Sequence, residues 1–461
     1  MVTGKTDVED GSARGILSRQ YVATTVAAFA LIAFAAFESL AVTTVMPTIA
    51  RELDGFSLFA LAFAAPLASG VVGMVVAGAW SDRSGPAAPM LVSLGLFSAG
   101  LLVCGLSPTM EVLLAGRVLQ GLGGGAMVVG LYVIVGIVFP DRLQPAIFAT
   151  FAAAWELPAL FGPGLAALIA TQWSWRWVFV GVIAFVALAL VLLTPALRHL
   201  PPHEGGEEVP ASRLGWALVG ATAVLGLELL GSSHRPLLIV GAGVTFLVVL
   251  LALHRMLPDG TLAGRRGLPS VIATRGLLSG CFFSIEAYIV YVLQDHWSLT
   301  PGRAGIALTL VGIVWATASQ AQSRLGDRVS HTRAMVVGTT MVVAGAALLT
   351  STVAGLDAGA ELPSWVPVAT YVLAGAGMGF AYPRTSVATL AASTHRDRGA
   401  NSSSLNVADS LGAALALSLS GIAFETAERG SADPFLVVFV LAATVGLLAV
   451  LTARRTTQAD I

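Results

Sequence analysis

Apolar residues in this chain gather into long runs separated by short polar breaks. The runs lie near 22–47, 57–79, 87–106, 111–139, 145–170, 177–197, 214–231, 236–255, 271–293, 303–322, 334–353, 365–389, 401–424 and 434–453. Each is close to the roughly 20 residues that a helix needs to cross the hydrocarbon core of a bilayer. Strands are excluded, because an open sheet edge in lipid leaves backbone groups unpaired. The pattern therefore predicts an all-α polytopic membrane protein with fourteen transmembrane helices. The least typical runs are 214–231, which is short and carries Glu228, and 401–424, which opens on polar residues. The longest internal breaks, 198–212 and 256–270, are too short for a soluble domain. Residues 1–20 are polar and precede a full-length apolar run, so the first span is expected to be retained rather than cleaved as a leader.

Composition agrees with the pattern. Hydrophobic residues are 56% of the chain and charged residues 11%, against about 45–50% and 25% in soluble domains. The net charge of −1 gives no bulk attraction to nucleic acid. Cys104 and Cys281 both sit inside apolar runs and read as small core residues, with neither a disulfide framework nor a metal site. Placing the N-terminus in the cytoplasm puts all but six of the 25 basic residues on or near the cytoplasmic side, the six being Arg51, Arg117, Arg176, Arg235, Arg303 and Arg429. That asymmetry persists to the end of the chain, so the span count is even and both termini are expected in the cytoplasm.

A faint repeat divides the chain. Ser81-Asp82-Arg83-Ser84-Gly85, after the second run, is echoed by Gly326-Asp327-Arg328-Val329-Ser330 after the tenth. Gly121, Gly123, Gly124 and Gly125 of the fourth run are echoed by Gly375, Gly377 and Gly379 of the twelfth. The expected organisation is an N-terminal tail (1–20), a six-helix bundle (21–200), a linker with two inserted helices (201–258), a second six-helix bundle (259–455) and a C-terminal tail (456–461). Repeated halves around a central site characterise secondary transporters.

Four motifs follow. The loop after the second run reads Gly78-x3-Asp82-Arg83-x-Gly85, and the fourth run carries Arg117-x2-Gln120-Gly121-x-Gly123. The fifth reads Glu156-Leu157-Pro158 and then Gly162-Pro163-Gly164, and the first places Glu38 nine residues before Pro47. Together these resemble the major facilitator superfamily, specifically its fourteen-span drug:proton antiporter branch, over essentially the whole chain. The resemblance implies the major facilitator fold, two six-helix bundles plus two inserted helices. It implies that Gly78, Asp82, Arg83 and Gly85, with the repeat residues Asp327 and Arg328, latch the halves on the cytoplasmic side. It implicates Arg117 in proton transfer, and Pro158, Gly162 and Pro163 in an antiporter motif. The chain departs from the family pattern at Pro86 and Ala87, at Ala166 and Ala167, and at Glu38, where the branch usually has Asp. Trp173, Trp175 and Trp177 read independently as an aromatic belt at the outer interface. Tyr382-Pro383-Arg384 is expected to close the twelfth helix, with Arg384 snorkelling to the headgroups.

The acidic residues make their own case. Glu38, Glu156, Glu228, Glu286 and Asp409 all lie within apolar runs. An ionised carboxylate at mid-membrane costs several kcal/mol and must face a cavity or a partner. A carboxyl that moves between a dry site and one beside an Arg takes up and releases a proton. Glu38, Glu156, Glu286, Asp409 and Arg117 are therefore the candidate proton-coupling residues, whereas Glu228, in the inserted pair, is expected near the outer surface. Phe282, Phe283, Tyr288 and Tyr291 surround Glu286 in sequence and suit a cationic or amphipathic ligand through cation–π contacts. The candidate substrate cavity comprises Phe34, Phe37, Gln120, Trp155, Phe282, Tyr288, Tyr291, Trp315 and Asn406.

These readings lead to an alternating-access, proton-coupled transporter in the cell membrane, exporting a hydrophobic or amphipathic small molecule. It is expected to act as a monomer, with protons as the coupling ion, membrane lipid around it and no other cofactor. The alternatives are a lipid exporter or flippase of the same fold, and a nutrient or metabolite uptake transporter. An enzyme is not expected: the seven His residues fall in breaks or run ends, and no nucleotide-binding loop appears.

Overall fold

Hydrocarbon offers no water to a backbone N–H or C=O, so each apolar run closes its hydrogen bonds on itself as a helix. The computed structural model describes residues 15–140, 143–198, 200, 211–231, 236–325, 328–394 and 397–457. Its helices are α1 (Val22–Glu52), α2 (Leu61–Ser84), α3 (Ala87–Gly105), α4 (Met110–Val138), α5 (Gln144–Gln172), α6 (Arg176–Arg198) and α7 (Ala211–Gly231). They continue with α8 (Pro236–Met256), α9 (Leu268–Asp295), α10 (Pro301–Leu325), α11 (His331–Asp357), α12 (Trp365–Ala391), α13 (Arg398–Glu428) and α14 (Pro434–Ala453). Twelve of these, all but α8 and α12, are long and apolar enough to cross a membrane; α8 is apolar over Val240–Met256.

Two helices run past the proline at which the sequence appears to end them. α1 continues through Pro47 to Glu52, and α12 continues through Pro383 to Ala391. A proline forfeits one backbone hydrogen bond, here to the Thr43 and Gly379 carbonyls, a loss that a packed membrane helix bears without ending, while hydroxyls add bonds in the same turns. In α1 the hydroxyls of Thr43 and Thr44 donate to the carbonyls of Ser39 and Leu40, each at 3.0 Å. In α12 the Thr385 hydroxyl donates to the Tyr382 carbonyl at 2.7 Å.

The helices pack as two similar groups, α1–α6 and α9–α14. In lipid there is no hydrophobic drive to join helices, so close backbone approach at small residues supplies the contact. The glycine echo seen in the sequence is this device used twice. Gly125 of α4 lies on the Gly70 backbone of α2, and Gly123 on the Ser93–Phe97 turn of α3. In the second group Gly379 of α12 lies on the Trp315 carbonyl of α10, and Gly377 on Gly338 of α11. The groups meet along two seams. At one, α5 faces α10, with Gly312 against Ala159. At the other, α2 faces α13, and α7 packs on both. α8 packs on α7 and, more lightly, on α13.

At the end of the molecule that carries the α1–α2 connection, aromatic rings cross between the groups. Phe56 stacks on Tyr291 with centroids 5.0 Å apart, and Phe59 lies 5.3 Å from both Tyr288 and Tyr291. Phe424 and Phe435 complete the cluster. This end is closed. Gly85, at φ 78°, terminates α2 at the opposite end, a left-handed turn that glycine adopts freely.

Two polar ties fasten the closed end within each group. Glu52 accepts from Arg176 Nη1 and Trp175 Nε1, both at 2.8 Å, tying α1 to α6. The Arg176 hydrogen bond, reinforced by that from Trp175 against a partial burial penalty, holds the Glu52 carboxyl below its usual range. In the second group His296, which caps α9, donates from Nε2 to Asp433 Oδ2 at 2.8 Å, and Asp433 also caps α14 by accepting from the Leu436 N–H at 2.9 Å. The Asp433 bond lifts His296 above its ordinary value of 6.5 despite partial burial. Burial works against ionised Asp433, yet the His296 and Leu436 bonds outweigh it and hold the carboxyl low.

Two expectations follow from the packing and the ties. Gly123→Val and Gly377→Val each drive a side chain into a neighbouring backbone and should cost about 1–3 kcal/mol, read as a lower melting temperature of the purified protein. Gly136→Ala, where an added Cβ meets nothing within 4 Å, should leave stability unchanged or raise it. The His296–Asp433 tie should be pH-dependent. The His296 contribution is complete below the unfolded His value and is lost as pH rises through the raised folded value. The Asp433 contribution is complete above the unfolded Asp value and is lost as pH falls through the lowered folded one. The melting gap between wild type and His296→Gln should therefore be widest between about pH 4 and 6.5 and narrow in alkali. A gap that does not change with pH contradicts the tie.

Candidate functional site

Each group of helices holds a charged network in its interior. In the first, α1 presents Glu38 and α4 presents Arg117, and the two side chains form a direct ion pair. Glu38 is 5% exposed and Arg117 4%, so Arg117 does not snorkel to the headgroups. Its Nε donates to the Ala62 carbonyl of α2 at 2.9 Å, and its Nη1 also reaches Gln120 Oε1 at 3.2 Å. The Cys104 thiol of α3 donates to the same Gln120 oxygen at 3.2 Å. The Gln120 Nε2 is buried and has no hydrogen-bond partner among the described residues. Three helices thus converge on one guanidinium, and α3 joins them through Gln120. Loss of charge on Glu38 would leave Arg117 with neutral acceptors only, so the pair can report protonation to α1, α2 and α4 together.

The second network was only half visible in the sequence. Asp409 of α13 accepts from Arg275 Nε at 2.9 Å, from the Tyr382 hydroxyl at 2.8 Å and from the Ser279 hydroxyl. Arg275 Nη1 donates to the Tyr382 carbonyl at 3.0 Å and to Thr385 Oγ1 at 2.9 Å, and its guanidinium lies against the Tyr382 ring. Asp409 was singled out as a candidate; Arg275 was not. The signal was available, since Arg275 stands inside the apolar run 271–293 as Arg117 stands inside 111–139. Arg384, expected to snorkel, is instead 5% exposed and donates to the Gln322 carbonyl at 3.3 Å. The reason is the continuation of α12 through Pro383, which carries Arg384 into the contact between α12 and α10.

Glu286 of α9 is half-buried and accepts from the Tyr371 hydroxyl of α12 at 3.0 Å. Tyr371 stacks on Phe282, whose ring meets the edge of Trp315 at 5.3 Å. Of the cavity candidates, Phe282 and Trp315 therefore stand beside Glu286, whereas Tyr288 and Tyr291 belong to the closed aromatic cluster. Phe34 stacks on Phe185 of α6 at 4.8 Å, and Phe37 approaches Gly162 of α5. Trp155 and Asn406 are exposed. Pro158, Gly162 and Pro163 are buried in α5, which runs unbroken through both prolines. The side chain of Glu156 and the whole of Asp327 lie outside the described residues. Asp82 and Arg83 close α2 beside Gly85, with Gly78 one turn earlier against Val129, and Arg328 is exposed between α10 and α11. Glu228, expected near the outer surface, is only 2% exposed, because α7 turns it into the seam with α2 and α13 rather than toward lipid.

The geometry has counterparts among known proteins. The chain is 26% identical to a probable multidrug-efflux transporter of Mycobacterium tuberculosis, over 96% of this chain and 97% of that protein. It is 24% identical to the multidrug efflux pump SdrM of Staphylococcus aureus, over 79% of this chain and 81% of the pump. Among solved structures, a D-xylose–proton symporter superposes with a TM-score of 0.67 at 16% identity, covering 95% of this chain and 98% of the symporter. The profile of the Major Facilitator Superfamily matches residues 27–285 and 271–460, and so takes in both helix groups and the inserted pair. With its two similar groups and their paired glycine contacts, the chain belongs to the Major Facilitator Superfamily.

Proposed function

We propose that this protein is a fourteen-span, proton-coupled exporter of hydrophobic or amphipathic small molecules, working by alternating access in the cell membrane with both termini in the cytoplasm. The observation that carries the reading is the buried Glu38–Arg117 pair, an intramembrane acid held by one cation where four helices meet. The relatives named as multidrug-efflux transporters support export, and their length matches that of this chain.

The Arg/Lys asymmetry makes the closed aromatic end the outer face and the end with Asp82 and Arg83 the cytoplasmic one. This conformation is then closed on the outer side, with Glu38 paired to Arg117. Substrate enters from the cytoplasmic side toward the half-buried Trp315 and Glu286, which the fully buried Phe282 and Tyr371 hold in place. Opening at the other end exposes Glu38 to protons from outside. A protonated Glu38 no longer holds Arg117 as a charge, and the return to this conformation delivers the proton inward. Each proton supplies about 2.3 kcal/mol per 100 mV of membrane potential, before any pH gradient.

The test uses proteoliposomes loaded with a fluorescent hydrophobic cation. Wild type should drive uphill movement of the dye only under an imposed proton gradient, and an uncoupler should abolish it. Glu38→Gln should lose the uphill component while keeping downhill exchange. Uphill transport that ignores the gradient, or a Glu38→Gln protein that still concentrates dye, overturns the reading.

A further inference from the structure

We infer that Glu228 of the inserted helix α7 is a second proton-binding group, which holds its proton while the α1–α2 end is closed and releases it to water on that side when the seam between α2 and α13 opens. The inference rests on the alternating-access reading, but its site stands on separate observations.

Glu228 is 2% exposed, and neither carboxyl oxygen makes a well-formed hydrogen bond among the described residues, although the Ser418 hydroxyl and the Leu61 N–H at the start of α2 lie close to it. Among the described residues its surroundings supply no cation. On α13 the nearest titratable group is Glu425, itself an acid, which takes the Arg429 guanidinium for its own Oε1. On α9 the facing group is Tyr288, buried in the aromatic cluster. On α8 the titratable groups His254 and Arg255 lie toward the other end of the insert, where Arg255 sits over the Trp216 ring. On α2 the titratable groups are Asp82 and Arg83, at the far end of that helix. The nearby Ser418 hydroxyl is directed at the Val224 carbonyl, at 3.4 Å. A carboxylate enclosed in this way has no charge partner among the described residues and only two weakly placed donors, the Ser418 hydroxyl and the Leu61 N–H, with a second acid on the next helix. A neutral carboxyl is the form the site accepts.

The packing ties this group to the gate. α7 contacts both α2 and α13, the two helices that meet across the seam. At the site itself the seam is closed by Gly421 of α13. A Cβ placed there would lie 2.7 Å from Glu228 Oε1 and 2.8 Å from the Ala60 Cβ at the start of α2. The missing side chain lets α13 lie directly on the carboxyl and on α2 at once. Separation of α2 from α13 at this end necessarily uncovers Glu228. Water then reaches it, and the carboxyl loses a proton to that water; on closing, the carboxylate regains one from the same side. Because the closed form binds the proton more tightly, acid on that side favours closure, and the inserted pair acts as a proton-reading strap across the halves.

Infrared difference spectroscopy on the full-length protein at neutral pH reads the protonation state directly. The wild-type-minus-Glu228→Gln spectrum should show the loss of one protonated-carboxyl C=O band and no loss of carboxylate bands. Loss of a carboxylate band instead overturns the proposal. Glu228→Asp, which keeps the acid, should retain a protonated band and serves if the Gln variant does not fold. A second readout is the distance between spin labels at Leu106→Cys and Ala358→Cys, which sit at the closed end on opposite halves. Raising the pH should increase the long-distance population, and Glu228→Gln should reduce that response to the part that Glu38 carries. An unchanged pH response in Glu228→Gln contradicts the link to the gate. If dye transport ignores the proton gradient while the protonated band is still lost, the export reading falls and the site stands. If transport is gradient-driven but a carboxylate band is lost, the site falls alone.

Discussion

A charge inside hydrocarbon must have a partner, a path to water or a proton of its own, and the interior of this protein is arranged around that constraint. Glu38 and Arg117 satisfy it by pairing, across helices that lie far apart in sequence. Asp409 and Arg275 satisfy it in the second group, with four hydroxyls and a backbone carbonyl closing the remaining bonds. Glu228 is enclosed without a cation beside it among the described residues, which is the ground for the proton proposed there. The same requirement holds down the number of charges the chain can carry, and it makes each of those present informative.

The close packing follows from a second feature of the same environment. Without a hydrophobic drive between helices, cohesion comes from backbones brought near at small residues. α4 and α12 occupy equivalent places in the two groups, each set between two neighbours on glycines facing two ways. Groups braced in this manner move as units, and the seams between them are where movement occurs. One seam is direct, α5 on α10; the other is bridged by α7. The insertion is therefore placed where it is strained or relieved whenever the halves rock.

Hydropathy and the repeat made the helices, their approximate limits and the two-group arrangement legible in the sequence. Glu38 and Arg117 were legible as candidates because each is a costly residue in an apolar run. Their pairing was not, since a run of hydropathy gives depth along a helix and not the direction a side chain takes around it. Arg275 carries the same signal, a basic residue inside an apolar run, but the limit hides its partner until α13 places Asp409 beside it. It also hid the burial of Glu228, whose orientation depends on how α7 docks on α2 and α13. Pro47 and Pro383 misled in another way, because a proline reads as a helix end while Thr43, Thr44 and Thr385 supply local hydrogen bonds within helices that continue.

The central claim is that intramembrane charge here is held only by its partner, and a double-mutant cycle on Glu38 and Arg117 tests it most directly. Glu38→Gln and Arg117→Gln should each destabilise the purified protein by about 3–5 kcal/mol, since each leaves the other charge buried alone. The double variant should be damaged much less than the sum of the two, because it removes both charges together. Additive losses across the cycle would show that the two residues are stabilised independently, and would contradict the account.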